Sequence, residues 1–306
     1  MEIGVQLQDS NIKITGSLTI KKYNSDNELT QELHVPNLIV NAGKQYIMSR
    51  MVGNTPNVVN IMAVGINGSV PSATDTALVT QIARSEIDSP VLSNPNLTIE
   101  YSALFDGNTR SGNIVEAGLF SSTTVSKSFN GSSNVAITNG STVSDGSFVI
   151  GTSYTITTVG TTNWNTVAGT TGVSYVLGSH LIAKATSGGG NGAAQARFAT
   201  ITSTAHGFST GDAIKYSNGG GTSIAPLVSG NTYYIVKITD NTFRLSTSYA
   251  NATAATPIVI GNAVGSSVTQ TASSFTLGSM LCRSTFPVVT KAVGDSISIN
   301  WVVRIG

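Results

Sequence analysis

The sequence predicts an all-β protein whose core is a two-sheet sandwich built from both ends of the chain. Composition is the first observation behind that reading. Only 10% of the 306 residues are charged, against a usual value of about 25%. Ser, Thr, Asn and Gly carry most of the remaining polarity, with 32 glycines, which suits many short strands and tight turns. Alternation is the second. In residues 296–305, Ile297, Ile299, Trp301, Val303 and Ile305 share one parity, while Ser296, Ser298, Asn300 and Arg304 share the other. That is the mark of a strand with one buried face. A change of texture is the third. The stretch from 122 to 278 reads as different material inserted into the core domain.

From the N-terminus, Ile12, Ile14, Leu18 and Ile20 alternate with Lys13, Thr15, Ser17 and Thr19, giving a strand. YNSDNE (23–28) turns the chain, and 29–35 returns as the second arm of a hairpin. Asn41 is placed to cap one helix, AGKQYIMSRMV, with Ile47, Met48, Met51 and Val52 as its core-facing stripe and Gly53 as its stop. IMAVG (61–65) is a short buried strand, and 78–84 reads as a helical turn or an irregular edge. Leu97 to Phe105 alternates, and IVEAGLF (114–120) follows as another strand. At the C-terminus 280–290 and 296–305 read as a hairpin around KAVGD (291–295). These make about seven strands and one helix, enough for a sandwich.

The inserted region divides into two small β-modules. Residues 121–146 read as a linker or arm, and FVIGTSYTITT and GVSYVLGSHLIAKA supply strands of the first module. SGGGNGAAQ (187–195) reads as a second linker, and the strands of 197–260 make the second module. The expected domains are therefore 1–121 with 279–306, then 122–194, then 195–278.

Several function classes are disfavoured. The net charge is +1, from 16 basic and 15 acidic residues. No Lys/Arg cluster is placed to neutralise a row of phosphates, so no nucleic-acid partner is expected. The single Cys282 gives no disulfide framework and reads as a small buried hydrophobe. No apolar run approaches a membrane span, and MEIGVQLQDS lacks the pattern of a signal peptide. Synthesis in the cytoplasm without a membrane stage is the expectation. His34, His180 and His206 lie in separate segments without metal-ligand spacing. Gly188, Gly190 and Ala193 only loosely imitate a dinucleotide loop. Asp106, Asp212, Asp240 and Asp295 sit in predicted turns, and Glu100 and Glu116 read as lone acids on outward strand faces, which leaves no carboxylate pair for glycoside cleavage. No catalytic residue, metal or cofactor is expected. The aromatic residues of the inserted region read first as packing for small cores, with Trp164, Tyr175 and Tyr233 as the candidates for stacking on a glycan.

Four stretches carry a resemblance: NLIVNAGKQYIMSRM (37–51), IMAVGINGSVPSATDTALVTQIARSEI (61–87), IVEAGLF (114–120) and MLCRSTFPVVTKAVGDSISINW (280–301). The chain resembles tailed-bacteriophage virion structural proteins of the tail-fibre-like, appendage or decoration kind. In such relatives the EAGLF strand runs on shortly to the MLxRxxFP strand; here the two are far apart. FVIGTSYTITTVGTTNW, AHGFSTGDAIKY and NTYYIVKITDNTFRLST resemble inserted modules common in phages of aquatic bacteria. The resemblance implies a non-enzymatic virion protein, docked on other virion proteins as a tail or neck fibre or appendage. It would form a homo-oligomer, a trimer above all, with its modules directed outward. Capsid decoration, or a glycan receptor-binding module on the virion, are the alternative roles.

Overall fold

The computed structural model describes residues 13–54, 56–93, 97–255 and 257–305; the start of the expected first strand, at Ile12, lies outside them. The fold is all-β and sandwich-like, as the composition predicts. In chain order the elements are β1 (Ile14–Tyr23), β2 (Leu29–Pro36), β3 (Leu38–Ile39), α1 (Asn41–Met51), β4 (Val59–Gly65), β5 (Gln81–Glu86), β6 (Val91–Ser93), β7 (Thr98–Phe105), β8 (Gly112–Asn130) and β9 (Val135–Ser144). They continue with β10 (Ser153–Thr158), α2 (Trp164–Ala168), β11 (His180–Ile182), β12 (Ala193–Thr202), β13 (Ala213–Ser217), β14 (Thr232–Lys237), β15 (Thr242–Ser246), α3 (Tyr249–Thr253), β16 (Thr269–Lys291) and β17 (Ser296–Ile305). Two compact units result: 1–123 with 277–306, and 124–276.

In the first unit one sheet runs β2-β1-β17-β7-β6. Trp301 of β17 stands opposite Leu18 on one side and Tyr101 on the other. The second sheet runs β16-β8-β4-β5, with β3 added on β16. The two enclose a core in which Leu18, Phe105, Ile299 and Trp301 of the first sheet meet Met62, Leu119 and Cys282 of the second. The alternation of β17 therefore faces inward as predicted: Ile297, Ile299, Trp301 and Val303 are buried.

Three local expectations are corrected here. The two C-terminal strands do not form a hairpin, because β16 lies in one sheet and β17 in the other. The turn between them, with Gly294 at φ +89° and Ala292 N–H donating to the Asp295 carboxylate, carries the chain from sheet to sheet. Period-two patterning fixes which face is buried but says nothing about the hydrogen-bonding partner. Residues 81–86 bear out the irregular edge, one of the two expectations there: they form an edge strand on β4 whose register shifts between Val64 and Gly65. The helix α1 is also turned relative to its predicted stripe. Gly43, Tyr46 and Ile47 face the sandwich, whereas Met48, Met51 and Val52 are 65%, 82% and 76% exposed. Gly43 sets this orientation, since a Cβ there would collide with the backbone carbonyl of Leu281. Nor does Asn41 act as the cap; Val40 holds that position without a side-chain hydrogen bond.

In the second unit the strands run β11-β10-β12-β15-β14-β13-β16, with β9 also paired to β12. The stretch expected as a linker, 121–146, is largely strand, because neutral Ser/Thr side chains pack as readily along a ladder as in a loop. A boundary at 194/195 falls inside β12, whose residues pair with β9, β10 and β15. Two main cores form, one around Phe148, Tyr154 and Trp164, the other around Phe129, Phe208, Tyr216 and Phe243. Two single-turn helices, α2 and α3, add to the one predicted helix; Asn163 and Ser248 cap them through their side chains.

Candidate functional site

The deepest polar group of the first unit is ionic. Arg283, 1% exposed on β16, donates from Nε and Nη2 to Oε2 of Glu116 on β8 at 3.1 and 2.8 Å. Its Nη1 reaches Oδ2 of Asp75 at 2.7 Å, and Nη2 also donates to the Ser69 carbonyl. Glu116, fully buried, accepts further from the backbone N–H groups of Val79 and Thr80 at 3.2 and 2.9 Å. The loop between β4 and β5 is thus tied at several points to one guanidinium–carboxylate pair. Burial works against the Arg283 charge, but its hydrogen bonds to the Asp75 and Glu116 carboxylates outweigh it and hold the guanidinium more basic than usual. For Asp75, burial is likewise overcome by the Ser72 N–H and Arg283, so its carboxyl lies below the ordinary range.

This cluster corrects the reading of Glu116 as an outward-facing acid. A signal for it does exist in the sequence. Glu116 and Arg283 are opposite charges, each set alone within an apolar strand (IVEAGLF and MLCRSTF). Buried charges of that kind come in pairs. Glu100 lies on strand β7, while Asp106, Asp212 and Asp295 stay in turns and accept from nearby backbone N–H groups.

Two surface features of the first unit are apolar. One is the outward stripe of α1. The other is a groove of about 280 Å³ between α1 and the ends of β1, β7 and β17, lined by residues that include Tyr46, Ile47, Leu92, Leu97, Ile99 and Ile305. Tyr101 forms part of its floor, and burial pushes its phenol up to about 12. Cys282 is fully buried in the same core as Tyr101, and burial drives its thiol well above the ordinary value.

The second unit draws the candidate glycan residues inward. Trp164 is 3% exposed, donates its indole N–H to the Val159 carbonyl at 2.9 Å, and packs beside Phe148. Tyr233 is 7% exposed and accepts from Val228 N–H. Tyr175 is half-buried against the Trp164 core. They are not brought together, and Trp164 and Tyr233 offer no open ring face; packing of small cores has claimed them. The glycine-rich 187–192 segment closes on a side chain of the same chain. Gly188 and Gly190 donate to Asp145 at 2.9 and 2.7 Å, and the Thr162 hydroxyl joins them at 2.8 Å. Those donors overcome burial and hold the Asp145 carboxyl below its usual range.

A polar cleft of about 360 Å³ opens elsewhere on this unit, lined by Ser126, Lys127, Ser128, Asn134 and Thr202 to Thr204. The Lys127 ammonium is fixed on the Ala205 carbonyl at 3.1 Å. Asn134 Oδ1 accepts from Asn130 N–H at 2.8 Å. His206 is buried, with Nδ1 accepting from Phe208 N–H and Nε2 set against the Thr239 carbonyl. Among the described residues, no three His, Cys, Asp or Glu side chains gather to hold a metal, and no helix is long and apolar enough to cross a membrane.

Set against protein-family models, curated proteins and solved structures, the chain matches none.

Proposed function

We propose that the chain is a structural protein of a tailed-phage virion, docked on other virion proteins through its first unit and assembled as a homo-oligomer, with trimer as the expected state. The observation that carries this reading is the outward stripe of α1. Met48, Met51 and Val52 lie at i, i+3 and i+4 and are 65%, 82% and 76% exposed. Met side chains, flexible and polarizable, suit such a contact surface. The stripe falls within NLIVNAGKQYIMSRM, one of the stretches that carry the virion resemblance. The rigid sandwich behind it, locked by Arg283 and Glu116, suits a particle component that bears load.

Immunogold labelling of purified particles tests the reading, with label on the tail, neck or head telling appendage from decoration. Absence of label from intact particles would refute it. Met48→Glu together with Met51→Glu is expected to leave the isolated protein folded and to reduce its incorporation at least tenfold.

A second reading, glycan binding at the virion surface, draws on the polar cleft of the second unit, whose hydroxyl and amide groups match a sugar's hydrogen-bonding edge. A glycan array with the oligomer, repeated with Asn134→Ala and Lys127→Ala, tests it; binding that both variants leave intact would place the sugar elsewhere.

A further inference from the structure

Asn-Gly-Ser occurs three times in the chain, at 67–69, 130–132 and 139–141. An Asn placed before Gly carries its own nucleophile, because the next backbone nitrogen is unshielded by a Cβ and its dihedrals are free. At 67–69 the local geometry favours attack by that nitrogen. The Asn67 side chain folds forward along the chain, where its Oδ1 accepts from the Ser69 N–H at 2.9 Å and from the Ser69 hydroxyl at 2.6 Å. Two donors there stabilise the negative charge that Oδ1 gains when Cγ is attacked. Gly68 is exposed, and among the described residues no acceptor takes its N–H or the Asn67 Nδ2 protons. The other Asn-Gly steps are held. Asn130 repeats the arrangement, its Oδ1 accepting from the Ser132 N–H and hydroxyl, both at 3.0 Å. Yet Gly131 is buried and donates to the Val268 carbonyl at 3.2 Å, and Asn130 Nδ2 is fixed on the Ser267 carbonyl at 2.6 Å. Gly140 lies within β9, on the β12 ladder and against the Phe198 ring. Gly192 is buried and donates to the Thr162 hydroxyl at 2.8 Å, and Gly219 donates to the Ser217 hydroxyl at 3.2 Å.

We propose that Asn67 is a site of spontaneous covalent modification, converting to Asp or isoaspartate ahead of the other Asn-Gly steps. The Gly68 nitrogen bonds to Asn67 Cγ, the Cγ–Nδ2 bond breaks, and Nδ2 leaves as ammonia with the proton from Gly68. Water then opens the succinimide at either carbonyl. The position of the site gives the reaction a consequence. Asn67 N–H donates to Oε1 of Glu116 at 3.4 Å, and the Ser69 carbonyl accepts from Arg283 Nη2 at 3.1 Å. The product therefore places a new carboxylate on a residue that already contacts the buried Glu116, and isoaspartate also lengthens the loop backbone. Like charge there opposes the ion pair that ties the loop down. The first unit so carries a slow, one-way change that loosens its ionic centre. This assignment stands apart from the virion reading and holds for any role of the protein.

Peptide mapping by mass spectrometry of the full chain, aged in mildly alkaline buffer, tests it directly. Conversion at Asn67 is expected to run several-fold faster than at Asn130, Asn139, Asn191 or Asn218. Equal rates at these sites, or a faster rate at any of the other four, would overturn the proposal. Gly68→Ala is expected to slow conversion several-fold in a folded protein, since a Cβ there comes no closer than 3.9 Å to Val115. Ser69→Ala, which removes one donor to Oδ1, should slow it as well. An unchanged rate in either variant would count against the chemistry drawn here. The consequence is read separately. Aged protein should show a lower urea midpoint for the first unit than Gly68→Ala aged in parallel; equal midpoints at full conversion of Asn67 would overturn the link to the ion pair.

Discussion

The two units solve the problem of buried polarity in opposite ways. At the centre of the first, three charges from distant parts of the chain converge: Arg283 lies 167 residues from Glu116 and 208 from Asp75. The second unit buries mostly neutral groups over shorter separations. The Tyr216 hydroxyl meets Gln270, the Trp164 indole meets Val159, and His206 meets Thr239. A buried charge is costly once its partner goes, whereas a neutral group left alone costs less. The first unit is therefore the one that a single substitution should break, and the second the one that should soften by degrees.

The largest expected effect is at Arg283. Arg283→Met leaves Glu116 buried without its counter-charge and should cost about 3–5 kcal/mol. Urea unfolding followed by Trp301 emission in a Trp164→Phe background reads that cost in the first unit. Adding Glu116→Leu to Arg283→Met should recover a large part of it; a double variant as unstable as the sum of the single ones would contradict the pairing.

Next comes the pair of tryptophans. Trp164 donates to Val159, while the buried indole N–H of Trp301 has no protein partner among the described residues. Trp164→Phe should thus destabilise more than Trp301→Phe, by about 1 kcal/mol, the net worth of a hydrogen bond. Thermal unfolding by circular dichroism decides the order, and the reverse order would count against the comparison.

Acid should act on both units. Asp75 and Asp145 titrate below the ordinary carboxylate range in the folded protein. Asp295 does so too, held first by the Ala292 N–H and then by Lys22. A depressed folded pKa gives stability that is fully present above the unfolded value of about 4 and is lost as pH falls through the folded value. Urea midpoints should drop as pH falls below about 4. Asp145→Asn should flatten part of that drop in the second unit, and Asp75→Asn part of it in the first.

The smallest effect is expected on the surface of α1. Met48→Gln with Met51→Gln should change stability by less than about 0.5 kcal/mol, because both side chains are exposed. A larger loss by thermal unfolding would mean that the stripe is covered by its own chain and would remove the surface on which the virion reading rests.

Much of the first unit was legible from alternation. The inward face of β17, the buried run of β4 and the hairpin of β1 with β2 all follow from side-chain parity and turn chemistry. The candidate site was less legible. Glu116 looked like an ordinary strand acid, since its partner is supplied by β16 from the far end of the chain. The stripe of α1 was assigned inward because spacing shows that an apolar face exists but not where it points. Core packing was the expected role of Trp164 and Tyr233, and both are buried, but which small core takes each leaves no periodic trace.

By itself the sequence determined the class of the fold and the inward parity of its strands, because sparse charge and period-two spacing are local properties of the polymer. Tertiary structure alone decided the partners. It set β16 and β17 in different sheets, seated Gly43 against Leu281, and joined Arg283 to Glu116 and Asp75. Each of these outcomes depends on which distant backbone comes within a few ångströms, and no local pattern encodes that distance.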